Sequence, residues 1–140
     1  MAASISIVWH GISCFTIEAK NGDVSAVLVT DPYGAETGLK LPRNLSADVV
    51  TVSHDDPAHN AADEVKALPD RQEGEGKKKT FIITAPGEYE IGGLFVYGIE
   101  SAEGRTLYRY EIGDLSVGFL GGLGTALTDA EQEALEDVDI

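Results

Sequence analysis

The sequence has a single cysteine in 140 residues, which excludes an internal disulfide. Basic residues are scarce as well: ten lysines and arginines face twenty-four aspartates and glutamates, giving a formal net charge of −14. A surface of that sign repels phosphate backbones and anionic lipid, so nucleic acid and membrane are not expected partners. Lys77 to Lys79, the one basic run, follows "DRQEGEG" and reads as solvated loop charge. No apolar run approaches bilayer-spanning length. "MAASISIVWHG" lacks the basic start of a signal peptide and passes straight into alternation, so the expected location is the cytoplasm. Tandem repeats, low-complexity blocks and linkers are also missing, and residues 1–140 are read as one domain with an ordinary 43% hydrophobic content.

What the sequence does contain is short β-branched runs separated by turn residues. The alternation predicts strands near Ser4 to Trp9, Ser13 to Glu18, Ala26 to Thr30, Asp48 to Ser53, Thr80 to Thr84, Leu94 to Ile99, Thr106 to Ile112 and Ser116 to Leu120. Helix formers predict a helix from about Ala61 to Leu68, and Thr128 with Glu131 forms a capping box before a final one. Cys14, between strand residues, reads as a small buried core residue. Glu88 and Glu90 read as hairpin carboxylates that bond turn amides or face solvent.

The chemistry concentrates in "VVTVSHDDPAHNAADEV", Val49 to Val65. An apolar strand ends near Ser53 and helix formers begin after Asn60, leaving His54, Asp55, Asp56 and His59 in a loop at the carboxyl end of a strand. Two imidazoles and a carboxylate on one turn can converge on a cation, so His54, Asp56 and His59 are the candidate metal ligands. The alternative is that Asp55 or Asp56 caps the turn at Pro57 or the helix, with the histidines as partly exposed bystanders. Ser53, His54 and Asp55 are not read as a hydrolytic triad, because sequence neighbours rarely point at one another.

"TVSHDDPAHN" resembles the HxHxDH segment of the metallo-β-lactamase superfamily with two letters changed. "WHGISCFTIE", "TDPY", "APGEYEIGGLFVYGI" and "FLGGLGTALTDAEQEAL" resemble further segments of its lactonase-like zinc-hydrolase branch, in the family's order. The resemblance implies an α/β fold: a metallo-β-lactamase-like β-sandwich with outer helices (αββα), of which this chain corresponds to the first half to two-thirds. It also implies a two-zinc centre that activates water, with His54 and His59 at two ligand positions. At other ligand or pocket positions of the family stand Asp56, Ala58, Gly122, Phe119, Thr125 and Ile12, and "SAEGRTLY" carries no histidine where the family has one. Gly11, Asp31, Pro32, Pro86, Gly87, Gly92 and Gly93 keep the turns.

The expectation is therefore a degenerate, non-catalytic binding or assembly module without a cofactor, its small-molecule ligand unspecified. The alternative is a residual hydrolase of ester or lactone substrates using zinc or another divalent metal. Since "DVDI" resembles the start of a strand that continues in relatives, the expected partner is a second copy, as a homodimer, or a chain supplying the missing half.

Overall fold

The computed structural model describes residues 2–69, 79–101 and 103–140. Lys77 and Lys78 lie outside them. Sheet 1 contains β1 (Ser4–Gly11), β2 (Cys14–Asn21), β3 (Val24–Thr30), β4 (Val49–Thr51) and β5 (Phe81–Ile83), in that order. Strands β1 to β3 run antiparallel, whereas β3, β4 and β5 are parallel. Sheet 2 is the antiparallel meander β6 (Gly87–Ile91), β7 (Leu94–Glu100), β8 (Thr106–Ile112) and β9 (Leu115–Phe119). The expected strands thus form, in a sandwich of two sheets, and the hairpin before Leu94 supplies β6 in addition.

Alternation explains the layers. Ile17, Leu28, Val49 and Ile83 face Val96, Tyr108, Tyr110, Val117 and Phe119 of the other sheet in the main core. Their neighbours Val29 and Val50 point the other way, into a second cluster with Cys14, Tyr33, Leu45, Val52, Ala62 and Val65. Strands covered on both faces read as continuous apolar runs, as "AVLV" and "VVTV" do. Cys14 is buried there as expected, and burial, then the nearby Asp31 charge, pushes its thiol up to about 12.

The helix expected over Ala61 to Leu68 shrinks to one 3-10 turn, Ala62–Glu64. The reason is tertiary. The Lys66 N–H donates to Leu45 O at 2.9 Å and its carbonyl accepts from Ala47 N at 2.9 Å, so its backbone is claimed by a parallel bridge to Ser46. Val65 meanwhile turns into the second core. The capping box does open a helix, α1 (Asp129–Ala134), where the Thr128 hydroxyl accepts from Glu131 N at 3.2 Å.

One ladder joins the sheets and positions the site. Tyr110 Oη lies 2.6 Å from Thr51 Oγ1, Tyr108 Oη donates to Val52 O at 2.8 Å, and Thr106 N donates to Ser53 O at 2.8 Å. Successive residues from the end of β4 onward are thus held by alternate residues of β8, and Arg105, which directly precedes β8, is delivered beside His54. Tyr110→Phe strands the buried Thr51 hydroxyl, and we expect urea unfolding to show a loss of about 1–2 kcal/mol.

Candidate metal centre

The loops that follow β3 and β4 meet at the carboxyl ends of these parallel strands. Asp31, directly after β3, is fully buried in the left-handed region at φ 36°, a conformation aspartate tolerates better than most residues. Its Oδ1 accepts from Ser53 N at 2.8 Å. Its Oδ2 accepts from Ser53 Oγ at 2.6 Å and from His59 Nδ1 at 2.8 Å. Burial pushes this carboxyl above its usual range, although the hydrogen bonds from Ser53 and His59 oppose the shift.

These bonds set the histidine tautomers. With its proton given to Asp31, the Ser53 hydroxyl can only accept from His54 Nδ1, 2.8 Å away. His54 therefore carries hydrogen on Nδ1 and its lone pair on Nε2. His59, donating through Nδ1, likewise keeps its lone pair on Nε2. The two rings stand 4.3 Å apart at 41°.

Arg105 closes the site. Its Nη1 lies 3.2 Å from His54 Nε2 and donates to the carbonyls of Gly121 at 3.2 Å and Gly122 at 3.3 Å. The guanidinium thus bridges the two loops, and Glu103 pairs with its Nε at 3.4 Å. Burial, then His59 and Arg105, lower the His54 pKa from its ordinary 6.5. Gly122, at φ 72°, approaches so closely that a Cβ there would lie 3.3 Å from His59 Cε1.

The structure brings His54 and His59 together, as the sequence reading expects, but joins Asp31 to them in place of Asp56. One potential ligand atom from each of Asp31, His54 and His59 lies within 4.8 Å of the others. Asp56 is exposed and its Oδ1 accepts from Ala58 N at 2.8 Å, which is the turn-capping role. Asp55 accepts from Asn60 Nδ2 at 2.7 Å. His59 is buried, contrary to the partly exposed bystander reading. The rejection of contact between Ser53 and its neighbour also needs correction: the hydroxyl does reach His54. It is buried and spends its proton on Asp31, so it is not an accessible nucleophile. Glu90 Oε1 accepts from Gly93 N at 2.8 Å, the expected hairpin role. In the sequence Asp31 is legible only as a turn residue, and Arg105 is not singled out within "SAEGRTLY". The signal for Asp31 is that "VLVTD" and "VTVSH" are parallel phrases, each ending an apolar strand in a polar group.

A metal tests poorly against these donors. Both Asp31 oxygens are engaged, each histidine keeps only Nε2, and that of His54 faces a cation. Ala58 and Gly122 offer no side-chain ligand atom. The cluster can offer two imidazoles, but it does not fit a two-metal hydrolytic centre.

A β-sandwich carrying a His/Asp cluster on the loops after parallel strands defines a hydrolase-like class. Residues 6–140 match the family described as the beta-lactamase superfamily domain, and the chain belongs to the metallo-β-lactamase superfamily. A Thermotoga maritima crystal structure, described as a candidate Zn-dependent hydrolase of that superfamily, is similar at 29% identity and a TM-score of 0.72. The similarity covers 98% of this chain and 59% of that one, so this chain spans less than two-thirds of its neighbour's length. Among curated proteins none matches. No helix among the described residues is long and apolar enough to cross a membrane.

Two outcomes follow from this geometry. Asp31→Ala removes the partner of Ser53 N, Ser53 Oγ and His59 Nδ1 together, and denaturant unfolding should record a loss of about 3 kcal/mol. Because the folded His54 pKa is below 6.5, its contribution to stability is fully present above pH 6.5 and lost as pH falls through the folded value. In Arg105→Gln an NMR titration of the His54 ring should move toward 6.5, narrowing that loss.

Proposed function

We propose that this chain is a non-hydrolytic member of its superfamily, a cytoplasmic binding or assembly module whose former metal region serves as a structural latch. The observation that carries the reading is Arg105 Nη1, held between His54 Nε2 and the carbonyls of Gly121 and Gly122. A fixed cation sits where a metal would need the imidazole lone pair, and like charges at that distance exclude one another unless the arginine leaves. Hydrolysis at a metal also needs an ion of fixed geometry to lower the pKa of bound water, and the remaining donors supply too few ligands.

A second reading, a residual metal-dependent hydrolase of ester or lactone substrates, is supported by the approach of Asp31, His54 and His59 ligand atoms to within 4.8 Å. The neighbour's description as a candidate Zn-dependent hydrolase points the same way. In it, His54 and His59 would hold the ion, with Asp31 orienting His59; Asp56 would have to leave its turn to contribute.

Elemental analysis of protein purified without chelator and offered zinc separates the two. We expect well under one equivalent, unchanged in a His54→Ala, His59→Ala double variant, and no turnover of ester or lactone substrates. About one zinc per chain, lost in the double variant, would replace the latch with the hydrolase.

A further inference from the structure

Lysine and arginine are scarce in this chain, yet "GLKLPRNLSA", residues 38–47, carries two of them and no acid. A left-handed turn at Asn44, φ 57°, and the parallel bridge from Ser46 to Lys66 fold this segment so that Lys40, Arg43 and Lys66 line one cavity of about 540 Å³. Tyr33 and Asn44 stand in the same wall, and Glu64 is the one acid among the described lining residues. Asp31, His54, His59 and Arg105 take no part in this cavity.

These cations are left without acids. Arg105 and Arg109 pair with Glu103 and Glu111, whereas among the described residues no carboxylate pairs with Lys40, Arg43 or Lys66. In a chain with twenty-four acidic residues, gathering three unpaired like charges is unfavourable unless an anion offsets them. Lys40, Leu41 and Arg43 also keep backbone N–H groups that find no acceptor among the described residues. The wall is fixed beforehand. Tyr33 Oη donates to His10 O at 2.6 Å and lies 3.3 Å from Lys40 O, and Leu41 and Leu45 pack into the second core. The Lys66 backbone is held by Leu45 and Ala47. Such preorganisation lowers the ordering cost of binding.

We propose that this cavity binds a small phosphate ester. Lys40, Arg43 and Lys66 exceed Glu64 by two charges, which a phosphate monoester offsets with a single group, since it carries about two negative charges and three acceptor oxygens. A lone carboxylate has half that charge. Arg43 can clasp two phosphate oxygens through its planar fork, while the lysines act as point charges. Charge also selects a small ligand over a polymer or a membrane, because either would press its other phosphates against the strongly acidic remainder of the surface. A ligand held inside the cavity avoids that. The proposal goes beyond the non-hydrolytic reading and does not depend on whether the His54 region binds metal.

Calorimetry and amide NMR, at about 0.15 M salt to screen weak surface attraction, test this with glycerol 3-phosphate and inorganic phosphate, and with glycerol and citrate as controls. The expected result is saturable binding of the ester, with inorganic phosphate no tighter, amide shifts at Lys40, Arg43 and Lys66, and no response to glycerol. Citrate should bind about tenfold more weakly. Arg43→Gln and Lys66→Gln should each weaken the ester by about tenfold, and Arg43→Lys should recover part of the loss. Lys20→Gln, at an exposed lysine outside the cavity, should change nothing. Lys40, Arg43 and Lys66 are all exposed, so their variants should keep a cooperative urea transition. No ester binding up to about 10 mM, or binding that ignores the Arg43 and Lys66 variants, overturns the proposal. Binding of inorganic phosphate without the ester, or citrate binding as tightly, assigns the cavity to another anion and also overturns it. Amide shifts confined to His54 and Arg105 do the same.

Discussion

A buried carboxylate ties the two loops of the site together. Asp31 leaves β3 in a left-handed turn, is fully buried, and accepts from Ser53 N, Ser53 Oγ and His59 Nδ1. Without these donors a carboxylate at such a position would be too costly to bury. With them it fixes the chain after β4 relative to the chain after β3 and sets both histidine tautomers. The Ser53 hydroxyl and the two imidazoles take their orientation from that choice.

The second support comes from across the sandwich. Tyr110, Tyr108 and Thr106 hold Thr51, Val52 and Ser53 in turn, so the core that stabilises the fold also aligns the site. The same strand then presents Arg105 to His54 and to the glycine carbonyls at 121 and 122. This framework of the metallo-β-lactamase superfamily carries a protein cation beside its paired histidines. Fold and chemistry can separate in a frame of this kind because its hydrogen bonds do not depend on the chemistry of the side chains it displays.

Edges obey a different logic from the core. Apolar residues on β1 belong by alternation to the inner face, but sheet 2 does not extend over them. Acidic residues protect β6 and the terminal residues overlay β9, whereas β1 carries no formal charge and exposes the Trp9 indole, whose Nε1 donates to Ile12 O.

The sequence by itself determined most of the strands, because period-two alternation and β-branched runs are local signals, and it determined the α1 cap because Thr128 and Glu131 are three residues apart. It placed His54 and His59 in one loop and marked Ala58 and Gly122 as lacking ligand atoms. Tertiary structure alone decided which carboxylate joins the histidines, since Asp31 is far from them in sequence and reaches them only when β3 and β4 pair in parallel. It also decided that Asp56 caps a turn, that a backbone bridge from Ser46 to Lys66 replaces a helix, and that Arg105 faces His54. The physical reason is the same in each case. Local propensity acts over a few neighbours, while a buried polar group takes whichever partner the packed strands bring within hydrogen-bonding distance.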